Sequence, residues 1–328
     1  MQFSTTNGIR LYYCLDTNPG YDLPSNQVWE RVPITSEGFS STRESIDTNP
    51  LSSVSGTYGT STASIKVSGT LQQELELSQF FINALISILG SDATQTFPHS
   101  TISGLSITNK SQNKRLAFLK VVETDDTLDY YLYRGCQLSS ITVDISYGIP
   151  SASYSLEVSS LGNPSQTIPH YLDIDSSNLP SEINSWQFND NQSIPSNVEI
   201  LSNISISETV SFSDFSFTIN RELEIKKLLG QNAFSSMITR RKIFAEVSGS
   251  LYFQHPRLYN KLLNDEAFQI SFTLTDSHSS LDFTLPTNKA TEISEPVAGS
   301  VDADLLVGAT FSAEQRSATP LLTIEVTP

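Results

Sequence analysis

Two stretches of the chain change period in the same way. In KVSGTLQQELELSQFFINALISIL (Lys66–Leu89), Val67, Gly69, Leu71 and Leu75 alternate with Ser68, Thr70, Gln72, Glu74 and Glu76. That two-residue period predicts a half-buried strand. Ser78 is placed to cap a helix, Phe81, Leu85, Ile88 and Leu89 fall on one helical face, and Gly90 supplies a left-handed stop. The second stretch begins EVSGSLYFQHPRLYNKLL at Glu246. Ile243, Ala245, Val247, Gly249, Leu251 and Phe253 share a strand face. Pro256 suits a first helical position, Leu258, Leu262 and Leu263 form a short apolar stripe, and Asn264 is the stop.

The correspondence extends on both sides of these transitions. FSSTRESI (Phe39–Ile46) resembles FTINRELEI (Phe217–Ile225), with Arg-Glu at the end of each predicted strand. FLKVVETDDTLDYYL (Phe118–Leu132) resembles FQISFTLTDSHSSLDFTL (Phe268–Leu285), two strands around an acidic turn. Each half closes on alternating strands: Ile141, Val143, Ile145 then Tyr154, Leu156, Val158, and Val301, Ala303, Leu305, Val307 then Leu322, Ile324, Val326. Three blocks in one order predict an internal duplication, with a first unit at 1–161, a linker at 162–195 and a second unit at 196–328. The linker holds Pro164, Pro169, Pro180 and Pro195, and its Trp186 and Phe188 predict that it docks on a neighbour. A long loop is expected in each unit between the Arg-Glu strand and the VSG strand, at Asp47–Ser64 and Lys226–Lys242. Loops of that length in a compact domain are commonly functional.

Composition narrows the function. The 328 residues are 38% hydrophobic, enough for a packed core, and rich in Ser, Thr and β-branched residues, which favours a mainly-β protein. The net charge is −16, and acids outnumber bases in both halves. Such a balance argues against phosphate-gripping DNA binding and suits a surface that repels polyanions. Cys14 and Cys136 are the only cysteines, which argues against a disulfide framework. The N-terminus shows no signal-peptide pattern, and no apolar run reaches membrane-spanning length; Phe80–Leu89, the longest, is broken by Asn83 and Ser87.

No catalytic motif emerges. There is no Gly-rich phosphate loop, GxSxG, HExxH or CxxC, and His99, His170, His255 and His278 lack metal-ligand spacing. DIDSSNLPSEIN (Asp173–Asn184) half-matches a calcium loop, but Asn184 stands where a bidentate Glu is needed and Pro180 intrudes. Asp125 and Asp126 read as a hairpin turn rather than a catalytic pair. No catalytic residue, cofactor or metal is therefore expected. Two groups of residues stand out instead. Glu74, Glu76, Asp144, Glu157, Asp302 and Asp304 fall on polar faces of predicted strands, and would line a cavity that must stay negative. Asp47, Tyr58, Lys226, Lys227, Arg240, Arg241 and Lys242 fall in or beside the two long loops, as candidate contacts between subunits or rings. For the cluster Arg240, Arg241, Lys242, pairing with acids of a neighbouring subunit is favoured over phosphate.

The run WERVPITSEGF (Trp29–Phe39), the Arg-Glu strand and long loop, VSGTL, the strand–helix step, YLYRGCQLSSI (Tyr131–Ile141) and SYSLEV (Ser153–Val158) together resemble the tail tube proteins of long-tailed bacteriophages. The second half joins the resemblance through VSGSLYF and LDFTLP. The linker 162–195 departs from it, and residues 1–26 align with nothing. The resemblance implies two tandem β-sandwich or half-barrel units, each with a flanking helix, whose sheets join those of other copies into a barrel. It implies rings stacked into a tube in the virion tail, assembled in the host bacterial cytoplasm, with tape-measure and tail-terminator proteins as partners, DNA in transit without specific binding, and no membrane anchor. Single-unit members build sixfold rings, so a two-unit chain is expected to build a pseudo-sixfold ring from three copies, with a hexamer as the alternative. Two other readings remain at this point: a β-sandwich decoration or adhesion protein that binds host surfaces or glycans, and a polysaccharide-active enzyme on a β scaffold.

Overall fold

In the computed structural model the described residues are 8–16, 27–48, 59–93, 105–123, 128–145, 150–158, 170–172, 187–189, 199–201, 212–227, 236–252, 260, 264–275, 280–294, 306–316 and 319–327. The side chains of 43–48, 59–65, 128–129, 170–172, 187–189, 199–201, 227 and 236–237 lie outside the description. The fold is mainly β. The first half runs β1 (Ile9–Leu15), β2 (Val28–Arg31), β3 (Ser36–Glu37), β4 (Ser40–Thr48), β5 (Gly59–Glu74), α1 (Gln79–Leu89), β6 (Leu105–Thr108), β7 (Leu116–Glu123), β8 (Leu128–Ile145) and β9 (Ser151–Val158). Three short strands follow, β10 (His170–Leu172), β11 (Gln187–Asn189) and β12 (Glu199–Leu201). The second half runs β13 (Phe212–Lys227), β14 (Ser236–Tyr252), β15 (Phe268–Thr275), β16 (Ser280–Ile293), β17 (Leu306–Ala313) and β18 (Thr323–Thr327).

Both halves pair their strands in one order. β4 pairs with β5, β5 with β9, β9 with β8 and β8 with β7, all antiparallel. In the second half β13 pairs with β14, β14 with β17, β17 with β16 and β16 with β15, again antiparallel. The end of β8 also pairs with β13, from Ile145 opposite Phe215 to Ser140 opposite Asn220. That seam joins the halves into one eight-stranded antiparallel sheet, β4-β5-β9-β8-β13-β14-β17-β16.

Two corners let strands leave this sheet. β8 begins in an outer layer against β7 and ends in the shared sheet. At the register shift between Tyr133 and Cys136, just before the crossover, Gly135 takes φ 61°, a left-handed conformation that costs glycine little. Asp16 holds the corner by accepting from Gly135 N at 2.8 Å and from Arg134 Nη2 at 2.8 Å. β16 turns likewise from β15 toward β17, and there buried Asn288 donates Nδ2 to Leu285 O and Phe268 O.

Every described residue of the two expected long loops is strand. β4 continues to Thr48 and β5 starts at Gly59, while β13 continues to Lys227 and β14 starts at Ser236. Asp47, Lys226, Lys227, Arg240, Arg241 and Lys242 therefore lie on strands, and Tyr58 lies outside the described residues. A register shift interrupts each hairpin, between Glu44 and Ser45 and between Arg221 and Leu223. A bulge inserts an extra residue and breaks the two-residue alternation, so a continuous strand reads as irregular in sequence. The region read as a linker contributes two short strands that dock on the first half, β10 against β8 and β11 parallel to β2.

The helix is buried on every side. Ser78 Oγ accepts from Phe81 N at 3.3 Å, and Gly90 ends the helix at φ 61°. Every residue from Phe80 to Leu89 is buried, so the apolar stripe expected from the sequence understates the contact. The two polar residues in the run have partners: Asn83 Nδ2 donates to Tyr13 Oη and Ser87 Oγ to Lys114 O. In the second half, described helical geometry is limited to Asn260, whose carbonyl accepts from Asn264 N, and Asp265 then takes φ 53°. One continuous core runs through both halves, from Phe80 and Phe81 to Phe217, Phe272 and Phe283.

Candidate functional site: the polar face of the shared sheet

The shared sheet has one buried and one polar face. Its buried face carries Val67 and Leu71; Tyr154, Leu156 and Val158; Ile141 and Val143; Phe215, Phe217 and Ile219; Ala245, Val247 and Leu251; Val307, Ala309 and Phe311. The shared VSG tripeptide follows from this face. A Cβ on Gly249 would lie 2.2 Å from Asp214 O, and one on Gly69 2.7 Å from the Phe39 ring, so neither position admits a side chain without displacing its neighbour.

On the opposite face, residues directly across from one another form transverse rows. One row reads Glu74, Ser151, Asp144, Ser216, Ser248, Thr310, Glu292. The next reads Gln72, Ser153, Thr142, Thr218, Glu246, Ser312, Lys289, and the next Thr70, Ser155, Ser140, Asn220, Phe244. Hydroxyls dominate and bond across strands: Ser216 Oγ donates to Asp144 Oδ1 at 2.6 Å and Thr218 Oγ1 to Thr142 Oγ1 at 3.2 Å. The described charges on the face are the carboxylates of Glu74, Asp144, Glu157, Asp214, Glu222, Glu224, Glu246 and Glu292 and the cations of Lys66, Lys226, Arg241, Lys242 and Lys289. Eight acids against five cations leave three net negative charges per chain. Lys66 and Lys289 are already matched, since Lys66 Nζ lies 3.1 Å from Glu157 Oε1 and Lys289 Nζ lies 2.5 Å from Asp265 Oδ2.

The structure sorts the acids expected on this face. Glu74 and Asp144 are exposed and share a row, and Glu157 lies beside Lys66 on the same face. Glu76 does not belong. Its strand ends at Glu74, and Glu76 is 4% exposed, beside a cavity also lined by Arg10 and Arg31. The reason is that the alternation is lost at the strand–helix step, where Leu75, Glu76 and Leu77 are all buried. Asp302 and Asp304 lie outside the described residues. Sequence reading missed Asp214, Glu222, Glu224, Glu246 and Glu292. Glu246 was legible as the polar position between Ala245 and Val247, whereas Glu292 follows a register shift in β16 that hides its face.

The basic cluster divides as well. Arg240 turns inward and bridges the halves: Nε donates to Gln137 Oε1 at 3.0 Å, Nη1 to Gln112 O at 2.5 Å, and Nη2 to Lys114 O. Beside it, buried Arg221 donates to Ile88 O, where the last carbonyls of α1 lack helical partners and attract cations. Burial, then the nearby cations Arg221 and Arg115, pull Arg240 down to about 9. It remains charged at neutral pH, and it is occupied within the chain rather than offered to a neighbour. Arg241 pairs with Glu224 at 2.8 Å at an exposed site, Lys226 lies 3.5 Å from the same carboxylate, and Lys242 is exposed. The two Arg-Glu dipeptides are not register-equivalent. Counted from the VSG glycines, Arg221 corresponds to Ser45, two residues beyond Arg43.

Both cysteines are buried and free, and burial pushes each thiol up, which leaves them inert as nucleophiles. Among the described residues, no group of three or more His, Cys, Asp or Glu could hold a metal, and no helix is long and apolar enough to cross a membrane. What the fold defines is a building block whose outermost strand β4 pairs, among the described residues, only with β5, and whose polar sheet face is net acidic. The family model described as phage tail tube protein matches residues 6–313, and the chain belongs to that family. No curated protein matches the chain.

Proposed function

We propose that three copies of this chain close their shared sheets into one barrel, that such rings stack into the tail tube, and that the polar face lines a negative bore through which DNA passes. Two units, 1–161 and 196–328, joined by 162–195, supply four barrel strands each. The observation that carries this reading is the stagger between the units. From Gln72 on β5, the transverse row reaches β14 at Glu246, whereas the VSG register makes Tyr252 the counterpart of Gln72. Each four-strand unit is thus displaced by six residues along the strand direction.

A constant displacement is what a closed barrel requires. Six residues at ~3.4 Å, across four strands spaced ~4.8 Å, give a strand tilt of about 45°. That is the upper end of the usual range of about 35–45°. Twenty-four strands at that tilt close at a backbone diameter of roughly 50 Å, and forty-eight at roughly 100 Å. Three chains therefore suit a tube that encloses one duplex, and six leave a bore far wider than the cargo. A net-acidic, hydroxyl-rich lining offers phosphates no counterion-releasing contacts, so DNA slides rather than sticks. The tube is a conduit without catalysis. Native mass measurement of isolated rings, with electron microscopy of the assembled tubes, tests the proposal: three chains per ring are expected, and six would overturn it.

A further inference from the structure

The seam inside the chain also specifies a seam between chains, and this inference rests on the ring reading above. β13 is the first strand of the second unit, and its outer edge is covered by the end of β8. β4 holds the same place in the first unit, with β5 on one side and, among the described residues, no strand on the other. Ser40, Ser41 and Thr42 on it are exposed, and its sequence SSTRESIDT contains no proline, the residue that removes an edge donor outright. At the far end of the sheet, β16 occupies the place of β8, and no further strand of this chain is paired beyond it at Ser294 among the described residues.

Register makes the correspondence residue by residue. Asn220 lies opposite Ser140 at the internal seam. Asn220 faces Phe244 on β14, three residues before Val247 of VSG, and Glu44 faces Ser64 on β5, three before Val67. Glu44 is therefore the first-unit counterpart of Asn220. Ser140 faces Ser155 on β9. Ser294 N donates to Gly308 O on β17, and Gly308 precedes Ala309, the partner of Gly249, as Ser155 precedes Leu156, the partner of Gly69. Ser294 is the counterpart of Ser140.

We infer that β4 of one copy pairs antiparallel with the end of β16 of the next, in the register that sets Glu44 opposite Ser294. The occupant of the open edge is a second copy of this chain, because the molecule already contains that pairing once. The arginine clasp does not recur: Arg221 and Arg240 correspond in register to Ser45 and Thr60. The seam between copies thus relies on strand pairing and side-chain packing without the clasp that locks the seam within a copy.

Paired cysteines test the register. Opposed residues in antiparallel strands have Cα atoms about 4.5–5.5 Å apart, inside the about 4.4–6.8 Å that a disulfide spans. Single variants Glu44→Cys and Ser294→Cys, co-expressed and oxidised, are expected to give two-chain species and nothing larger. The double variant E44C/S294C gives covalent species up to three chains. The double variant S140C/N220C, at the internal seam, crosslinks without a change in chain count and calibrates the chemistry. Cys14 and Cys136 are buried and stay out of the reaction. Rings with no E44C–S294C bond, while S140C/N220C crosslinks fully, would overturn the seam and leave the ring standing. Absence of rings from the unmodified protein would overturn both.

Discussion

Reversing the charge of the polar face should turn a slippery surface into a sticky one. Glu74, Asp144 and Glu246 are exposed on two adjacent rows of the shared sheet. Substituting all three by Lys takes the described charge of the face from three negative to three positive per chain. Asp144 loses the hydrogen bond from Ser216 Oγ, and all three sites are exposed, so each substitution should cost no more than ~0.5 kcal/mol and leave assembly intact. A ring of three copies gains nine lysines. If about six to ten of these per bound duplex meet phosphates, retention should fall about 10³–10⁵-fold between about 50 and 200 mM salt. The assay is retention of labelled duplex by assembled tubes across that salt range. Unmodified tubes should retain none, and the variant should bind with that steep dependence. The control makes an equal charge change at exposed acids away from the face, with D92K, E266K and E325K. Equal retention by the control, or none by the face variant, would show that the polar face does not line the bore.

Other consequences are local. Phe81→Ala empties a fully buried position on α1 and should cost ~3–5 kcal/mol in denaturant unfolding; a loss below ~1 kcal/mol would mean the helix is not packed as described. Arg240→Ala removes three donated hydrogen bonds, each worth ~1.5–3 kcal/mol from a charged donor, but also relieves a cation that burial and two arginines disfavour. A net loss of ~1–3 kcal/mol is expected, with faster amide exchange at residues 110–115, and unchanged exchange there would refute the clasp. Glu30 is raised above its ordinary value by burial, more than the hydrogen bond from Tyr13 Oη lowers it. The folded state then holds the proton more tightly than the unfolded one, so its contribution to stability grows as pH falls through the raised value and levels off below the ordinary one near 4.5. Glu30→Gln keeps an acceptor for Tyr13 and should flatten the stability curve in that window; an unchanged slope would exclude Glu30 as its source.

Much of this architecture was readable because the two-residue period survives where one sheet face is buried. Val67 and Leu71, Ile141 and Val143, and Ala245 and Val247 are all buried as their alternation requires. Two kinds of feature escaped. Bulges at Glu44/Ser45 and Arg221/Leu223 broke the alternation, so the ends of four strands read as loops. Tertiary contact also overrode local pattern. Glu76 continues a polar series in sequence but is buried where the chain leaves the sheet, and Arg240 lies in a basic cluster yet turns toward the carbonyls of Gln112 and Lys114. No local pattern encodes a partner more than a hundred residues away.

In the proposed ring, the stagger between units would link the fold to the size of the bore. Had the Gln72 row met Tyr252 on β14, the strands would stand parallel to the barrel axis, and twenty-four of them would close at roughly 37 Å across the backbone. The six-residue displacement tilts them and widens the same number of strands to roughly 50 Å. Its setting lies in the register of β8 on β13, where Ile141 faces Ile219 and Val143 faces Phe217 on the buried side. A slip of one residue there would turn every buried side chain of β13 to the polar face. A slip of two would keep the faces but change the tilt, and with it the bore. In the proposed ring, the packing of Ile219 and Phe217 into the common core would thus fix a dimension of the assembly from inside a single chain.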